Sequence, residues 1–466
     1  MNLFGIEIEA VNKPVLDKSF IPLSKFSKEF LKTAKKPVCV AVERNEGLIA
    51  VWDTFVNGSD KMFQADCYYI GRIVKLLLWT KGGFRIFICG DDRIAQYIKN
   101  AYTKDGIRAF DLGFMSQVYE CDFEVISLPY EQKPSERDRP KPLGGHLDGC
   151  RIGFDAGGSD RKVSAVIDGK TVFSEEVLWS PKTNADCNYH FNEILCAFKA
   201  AAAKMPRVDA IGVSSAGVYI NNKTMVASLF LKVPRDEFEK YVKNIYVRAV
   251  KEIGENIPFE VANDGDVAAL AGAMELNKTR ILGIAMGTSE AGGYVDKDGN
   301  ITGWLNELAF VPVDGQQDAM IDEWSGDKGC GVKYFSQDAV IKLAPEAGIM
   351  LDENLSPADK LAEVQKLVAA GDEQAMKIFE TIGCYLGHAI SLYAEIYDIG
   401  HILLMGRVMS GKGGTVIMNT ASHVLKTEYP ELYDKIEMHL PCESSRRIGQ
   451  SVAAASLPLL NQSSNS

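Results

Sequence analysis

A short apolar strand that runs into a glycine turn and straight out again as a second strand occurs twice in this chain. That repetition restricts its fold more than any other feature. The first copy is RIGFDAGG (151–158) followed by KVSAVIDGKTVFSEEV (162–177), with Asp-Gly at a hairpin turn. The second is ILGIAMGTSEAGGYVDKDGNI (281–301), again strand, glycine turn, strand and Asp-Gly. Between them, VDAIGVSSAG (208–217) reads as a strand entering a small-residue turn. Two copies of one device predict a duplicated α/β fold with a cleft between its halves.

The other strong mark is a seam, EQKPSERDRPKPLGGHLDG (131–149), whose prolines, glycines and charges suit neither helix nor strand. It predicts an N-terminal α/β domain over 1–130, a linker over 131–150, one lobe over 151–262 and a second over 263–444. A C-terminal helix at about 445–460 returns to the first lobe. Before the seam, VCVAVE (38–43), LIAVWDTFV (48–56), FRIFICG (84–90) and CDFEVISLP (121–129) read as strands, with helical spacing over 68–79 and 91–106.

A net charge of −11 argues against a broad nucleic-acid or anionic-membrane surface. The start, MNLFGIEIEAVNK, is unlike a signal peptide, and no apolar run is long enough to span a membrane. Ten scattered cysteines without a CxxC pair suit reduced thiols, so a cytoplasmic setting is expected.

Three stretches carry chemistry. In FDAGGSD (154–160), Asp155 ends a strand before Gly157, Gly158 and Ser159; such a turn brings amides to an anion while the carboxylate holds a hydrated Mg²⁺, though an ordinary hairpin has the same pattern. Gly287-Thr288-Ser289-Glu290-Ala291-Gly292-Gly293 is a second turn of that kind. In VANDGDVAALAGAMEL (261–276), Asn263 and Asp264 stand where a strand gives way to a helix. They suit a helix cap, with Asp266 able to share the work, and Asp264 also suits a base that takes a hydroxyl proton.

In order and spacing these stretches resemble the ROK family (repressors, open reading frames, kinases), the sugar-kinase branch of the actin-like ATPase superfamily with its ribonuclease H-like lobes. The resemblance implies ATP and Mg²⁺ as cofactors, a hexose or hexose derivative as substrate, and a possible homodimer. It makes Asp264 the catalytic base and places Asn263 and Glu307 on the sugar. Gly157, Gly158, Ser159, Gly287 and Thr288 would lie on phosphates, with Asp155 on Mg²⁺ through water. HILLMGRVMSG (401–411) is similar to the nucleotide-side strand and turn, giving Gly406 and Arg407, and IGQSVAAAS (448–456) to the closing helix.

The chain departs from the family pattern at several points. Phe310 stands where a histidine is usual, and EWSGDKGCGVKYFSQDAV (323–340) keeps only Cys330 of a zinc knot, so no structural zinc is expected. Lys333 replaces a sugar-contacting glutamate; it would favour an acidic or phosphorylated sugar, or simply be a solvated cation. Glu290 lies inside the second phosphate loop, and Arg407 replaces a glycine. These changes leave a catalytically weak or inactive sugar or nucleotide sensor as the alternative to a kinase. An ATPase activator with an iron–sulfur cluster fits the scattered cysteines poorly. Residues 1–130 distantly resemble the opening domain of phosphohexomutases, and a docking or dimerisation layer reads as well; the stretch lacks the basic recognition helix of a repressor.

Overall fold

A computed structural model describes residues 1–138, 142–441 and 449–460. The chain forms two compact units. One comprises Met1–Arg139, Ile284–Gly292 and Trp304–Leu440, the other Pro140–Gly283, Gly293–Gly303 and Pro441–Ser466. In this stretch the division falls between Arg139 and Pro140, and residues 139–141 lie outside the described ones. The helix that starts at Asp264, expected to open the second lobe, belongs to the same unit as the strands before it.

In the second unit Cys150–Ala156, Asp160–Ile167 and Lys170–Leu178 form an antiparallel meander, and Ala210–Ser215 and Phe259–Asn263 extend it in parallel on the other side. All seven residues of Cys150–Ala156 and all six of Ala210–Ser215 are buried, as central strands covered on both faces require. The helix Gly449–Ala455 covers one face. Residues 442–448, where that helix was expected to begin, lie outside the described ones.

Two glycines let the helix come so close. A Cβ on Gly153 would stand 1.7 Å from the Ser451 carbonyl oxygen, and one on Gly212 would stand 1.6 Å from that of Ala454. Gly212→Ala is expected to force helix and sheet apart and to destabilise this unit by about 1–3 kcal/mol. A thermal midpoint equal to that of the parent protein would count against this packing.

One four-stranded sheet lies wholly in the first unit, and most of a second lies in it too. The N-terminal one runs Ile49–Val56, Lys36–Glu43, Arg85–Cys89, Glu124–Leu128; Lys36–Glu43 is antiparallel to both its neighbours and the last pair is parallel. Asp91 caps the helix Asp92–Ala101, its side chain accepting from the Ile94 amide at 3.0 Å. The second sheet has the order Glu290–Val295, Ile281–Met286, His401–Met405, Glu437–His439. Helices Gln337–Glu346, Pro357–Ala370, Glu373–Tyr393 and Gly411–Glu428 accompany it.

The N-terminal sheet is an addition with its own strand order, yet it shares one compact unit with residues 304–440. The reason is the helix Phe63–Thr80, which is buried along most of its length. Its carbonyls at Trp79 and Thr80 accept from the Glu307 and Asn306 amides, each at 2.9 Å. Asp327 accepts from Arg72 (2.8 Å), Lys75 (3.2 Å) and Arg108 (2.7 Å). The ring of Phe310 lies 4.3 Å from Trp79 and 5.4 Å from Phe110. Asp138, within the seam, takes Arg44 at 2.7 Å and Lys81 at 3.0 Å, so this part of the expected linker is pinned. Among the described residues no helix is long and apolar enough to cross a membrane.

Candidate functional site

Parallel pairing decides which side chains meet in the second unit. Ser214 stands opposite Asp155 and Ser215 opposite Ala156 on one side, while Ser215 stands opposite Asn263 on the other. Three strands therefore end together, with Asp155, Ser214, Asn263 and Asp264 at their carboxyl edge, the usual place for a ligand in such sheets.

Ser214 Oγ donates to Asp155 Oδ1 at 2.9 Å. Gln450, on the covering helix, donates through Nε2 to Ser214 Oγ (3.0 Å) and to the Asp264 carbonyl (3.2 Å). One amide thus ties the segments that carry both carboxylates. Asn263 is the helix cap: its Oδ1 accepts from the Gly265 amide at 2.8 Å and its Nδ2 donates to the Gly217 carbonyl at 2.8 Å. Asp264 opens the first turn, and its Oδ1 accepts from the same amide at 3.1 Å. Asp266 is buried and accepts from the Tyr294 amide at 3.1 Å, fastening the helix to the strand Glu290–Val295.

Burial raises the pKa of Asp264, against the Gly265 hydrogen bond and the charge of Lys182. Burial also pushes Asp155 up to about 6; Ser214 and Lys162 oppose the shift, while Asp264 and Asp160 add to it. A buried carboxylate held near other acids is a place of surplus negative charge, which fits a divalent cation bound there.

The first glycine loop is fixed from one side by Trp179, whose indole donates to the Gly157 carbonyl at 2.8 Å and whose amide donates to that of Ser159 at 3.1 Å. A Cβ on Gly157 would stand 2.7 Å from the Asp160 carbonyl oxygen, and one on Gly158 would stand 3.0 Å from Lys182 Nζ. Lys182 therefore brings a cation to the loop. Lys182, Ser214 and Gln450 escape a sequence reading because only tertiary pairing carries them to this edge.

In the first unit Gly287, Thr288, Gly406 and Arg407 come together, in the turns that follow the neighbouring strands Ile281–Met286 and His401–Met405. Arg407 is exposed, and its Nη2 lies 3.4 Å from Thr288 Oγ1. Gly406 has φ 95°, and a Cβ there would stand 2.3 Å from the Met286 carbonyl oxygen. Glu290 turns away from the loop into the interior: it is buried, Tyr393 donates to its Oε1 at 3.4 Å, and burial pushes its pKa up to about 8. At neutral pH it is mostly uncharged, so it sets little negative charge against a phosphate at this loop.

Lys333 is a correction to both sequence expectations. It is neither solvated nor offered to a ligand, but buried and paired with Glu323 at 2.5 Å and Asp338 at 2.9 Å. Burial works against its charge, and the two carboxylates outweigh it, holding the pKa raised. Phe310 is an aromatic anchor for the N-terminal layer, and Cys330 is buried, its thiol 3.9 Å from Ser325 Oγ. Glu307 is half-buried just before the turn Leu308–Phe310.

With this geometry in view, the comparisons with known proteins agree on the fold. The ROK hexokinase of Thermus thermophilus superposes with a TM-score of 0.50 at 17% identity, covering 66% of this chain and 96% of its own. A ROK family transcriptional regulator, a homologue of the E. coli MLC protein, superposes with a TM-score of 0.50 at 16% identity, covering 67% of this chain and 79% of its own. Both likenesses show a shared α/β fold, in an enzyme and in a regulator alike. No curated protein sequence matches this one. Residues 151–437, more than half of the chain, match the ROK family, and the chain belongs to that family.

Proposed function

We propose that this protein transfers the γ-phosphoryl group of ATP to a hydroxyl of a hexose or hexose derivative in the cytoplasm. The observation that carries this reading is the meeting of Asp155 and Asp264 at one sheet edge, the Asp155 carboxylate tied through Ser214 and Gln450 to the backbone of Asp264. Asp264 takes the hydroxyl proton as the oxygen attacks. Asp155 would hold Mg²⁺ through water, and such an ion would supply charge neutralisation to the phosphates. Gly157, Gly158, Ser159 and Lys182 receive phosphate oxygens, with Gly287, Thr288, Gly406 and Arg407 on the nucleotide. Asn263 and Glu307 orient the sugar, Asn263 by its remaining acceptor capacity.

Release of ADP in a coupled assay against a panel of hexoses and amino-hexoses tests the reading. Turnover with one of them, lost in Asp264→Asn, supports it. Sugar binding by calorimetry with no ADP release would instead support a sensor. That second reading draws on Asn263, whose amide is already engaged on both sides, and on Lys333, which no longer stands in for the missing glutamate.

The pKa of Asp155 sets a pH dependence. Its folded value is raised, so the group is anionic above about 6 and neutral below. Protons then compete with the cation, and apparent Mg²⁺ affinity in nucleotide binding is expected to fall about tenfold per pH unit below that value. A Mg²⁺ dependence that stays flat from neutral pH through this range would remove Asp155 from the role.

A further inference from the structure

Of six histidines in the chain, His190 and His388 are buried, while His401 and His439 come together on the second sheet of the first unit. His401 opens the strand His401–Met405, and Glu437 and His439 are the two ends of Glu437–His439. The strands pair in parallel, His401 opposite Glu437 and Leu403 opposite His439. Direct partners share a face, as do residues two apart on one strand, so imidazole, carboxylate and imidazole project from the same side.

His401 Nδ1 lies 3.1 Å from His439 Nε2. Glu437 Oε2 lies 3.5 Å from the first nitrogen and 3.7 Å from the second. That is long for a charge-assisted hydrogen bond, which closes to about 2.7–2.9 Å, and the oxygen favours neither ring. The triangle has another natural size. Ligands about 2.0–2.2 Å from a tetrahedral zinc ion stand about 3.3–3.5 Å from one another, and the three observed edges bracket that range.

We propose that His401, Glu437 and His439 form a zinc-binding site, separate from the Mg²⁺ expected at Asp155. Two imidazoles and one carboxylate are ligands that Zn²⁺ takes readily, whereas Mg²⁺ prefers oxygen. The histidine side chains are only 17% and 15% exposed, so the strands hold them in place, while Glu437 is 64% exposed and gives the ion an entry path. Three protein ligands leave a fourth position for water or an outside donor. The ion clasps the start of the strand that leads into Gly406 and Arg407, and so steadies that strand.

The test is calorimetric titration of metal-stripped full-length protein with Zn²⁺, and a visible spectrum with Co²⁺. One equivalent is expected, with tetrahedral Co²⁺ bands and no thiolate charge-transfer band. His401→Ala and His439→Ala should each weaken binding at least about tenfold. Glu437→Gln, an exposed and conservative change, should weaken it too while the metal-free protein keeps its thermal midpoint. Absence of a bound equivalent, affinity unchanged in the His401→Ala/His439→Ala double variant, or a thiolate band would each overturn the site.

Discussion

Asp264→Asn is expected to lower kcat by about 10²–10⁴ while KM for the sugar changes little. In free energy that is about 3–5 kcal/mol of lost transition-state stabilisation. The substitution is nearly isosteric, and an amide oxygen still accepts from Gly265, so the helix start is preserved. What disappears is the capacity to take a proton, which burial has already enhanced by raising the pKa of the carboxylate. On the proposed reading the parent protein should therefore lose kcat as pH falls through that raised value, and the residual activity of the variant should not follow that limb. A variant within tenfold of the parent would exclude Asp264 as base. An unchanged sugar affinity alongside absent turnover in the parent itself would point to the sensor reading.

How far the sequence foretells this arrangement depends on the range of the interactions. Strand-ending turns at Asp155 and Asn263 are legible because the signals are local: an apolar run, then glycine or a capping residue. The direction of a side chain is not local. Glu290 lies in a loop that reads as phosphate-facing, yet it points inward beside Tyr393. Lys333 reads as available, yet it closes an ion pair with Glu323, ten residues earlier, and another with Asp338. Gln450 and Ser214 are joined across 236 positions, a distance over which no periodicity speaks. Phe310 was legible only as a departure from the family histidine, and its purpose emerges with Trp79 and Phe110 beside it.

The same reasoning leads to the residue whose loss should harm the fold most. Asp327 sits where Arg72, Lys75 and Arg108 converge, with Asp111 the other acid at Lys75. Burial would raise the pKa of Asp327, but the three cations hold it well below the ordinary carboxylate range. A depressed carboxylate stabilises the fold above its unfolded value and loses that contribution as pH falls toward its folded one. Asp327→Asn leaves the three cations to a single neighbouring acid, and removing one partner of a buried charge set costs about 3–5 kcal/mol. Denaturant unfolding at neutral pH should show a loss of that size, and the gap from the parent protein should narrow below about pH 4, where the carboxylate of the unfolded parent chain takes up its proton while the folded one stays ionised. A loss under about 1 kcal/mol, constant with pH, would contradict the arrangement. The loop 323–340 carries Asp327, so these charges brace that loop against the helix Phe63–Thr80.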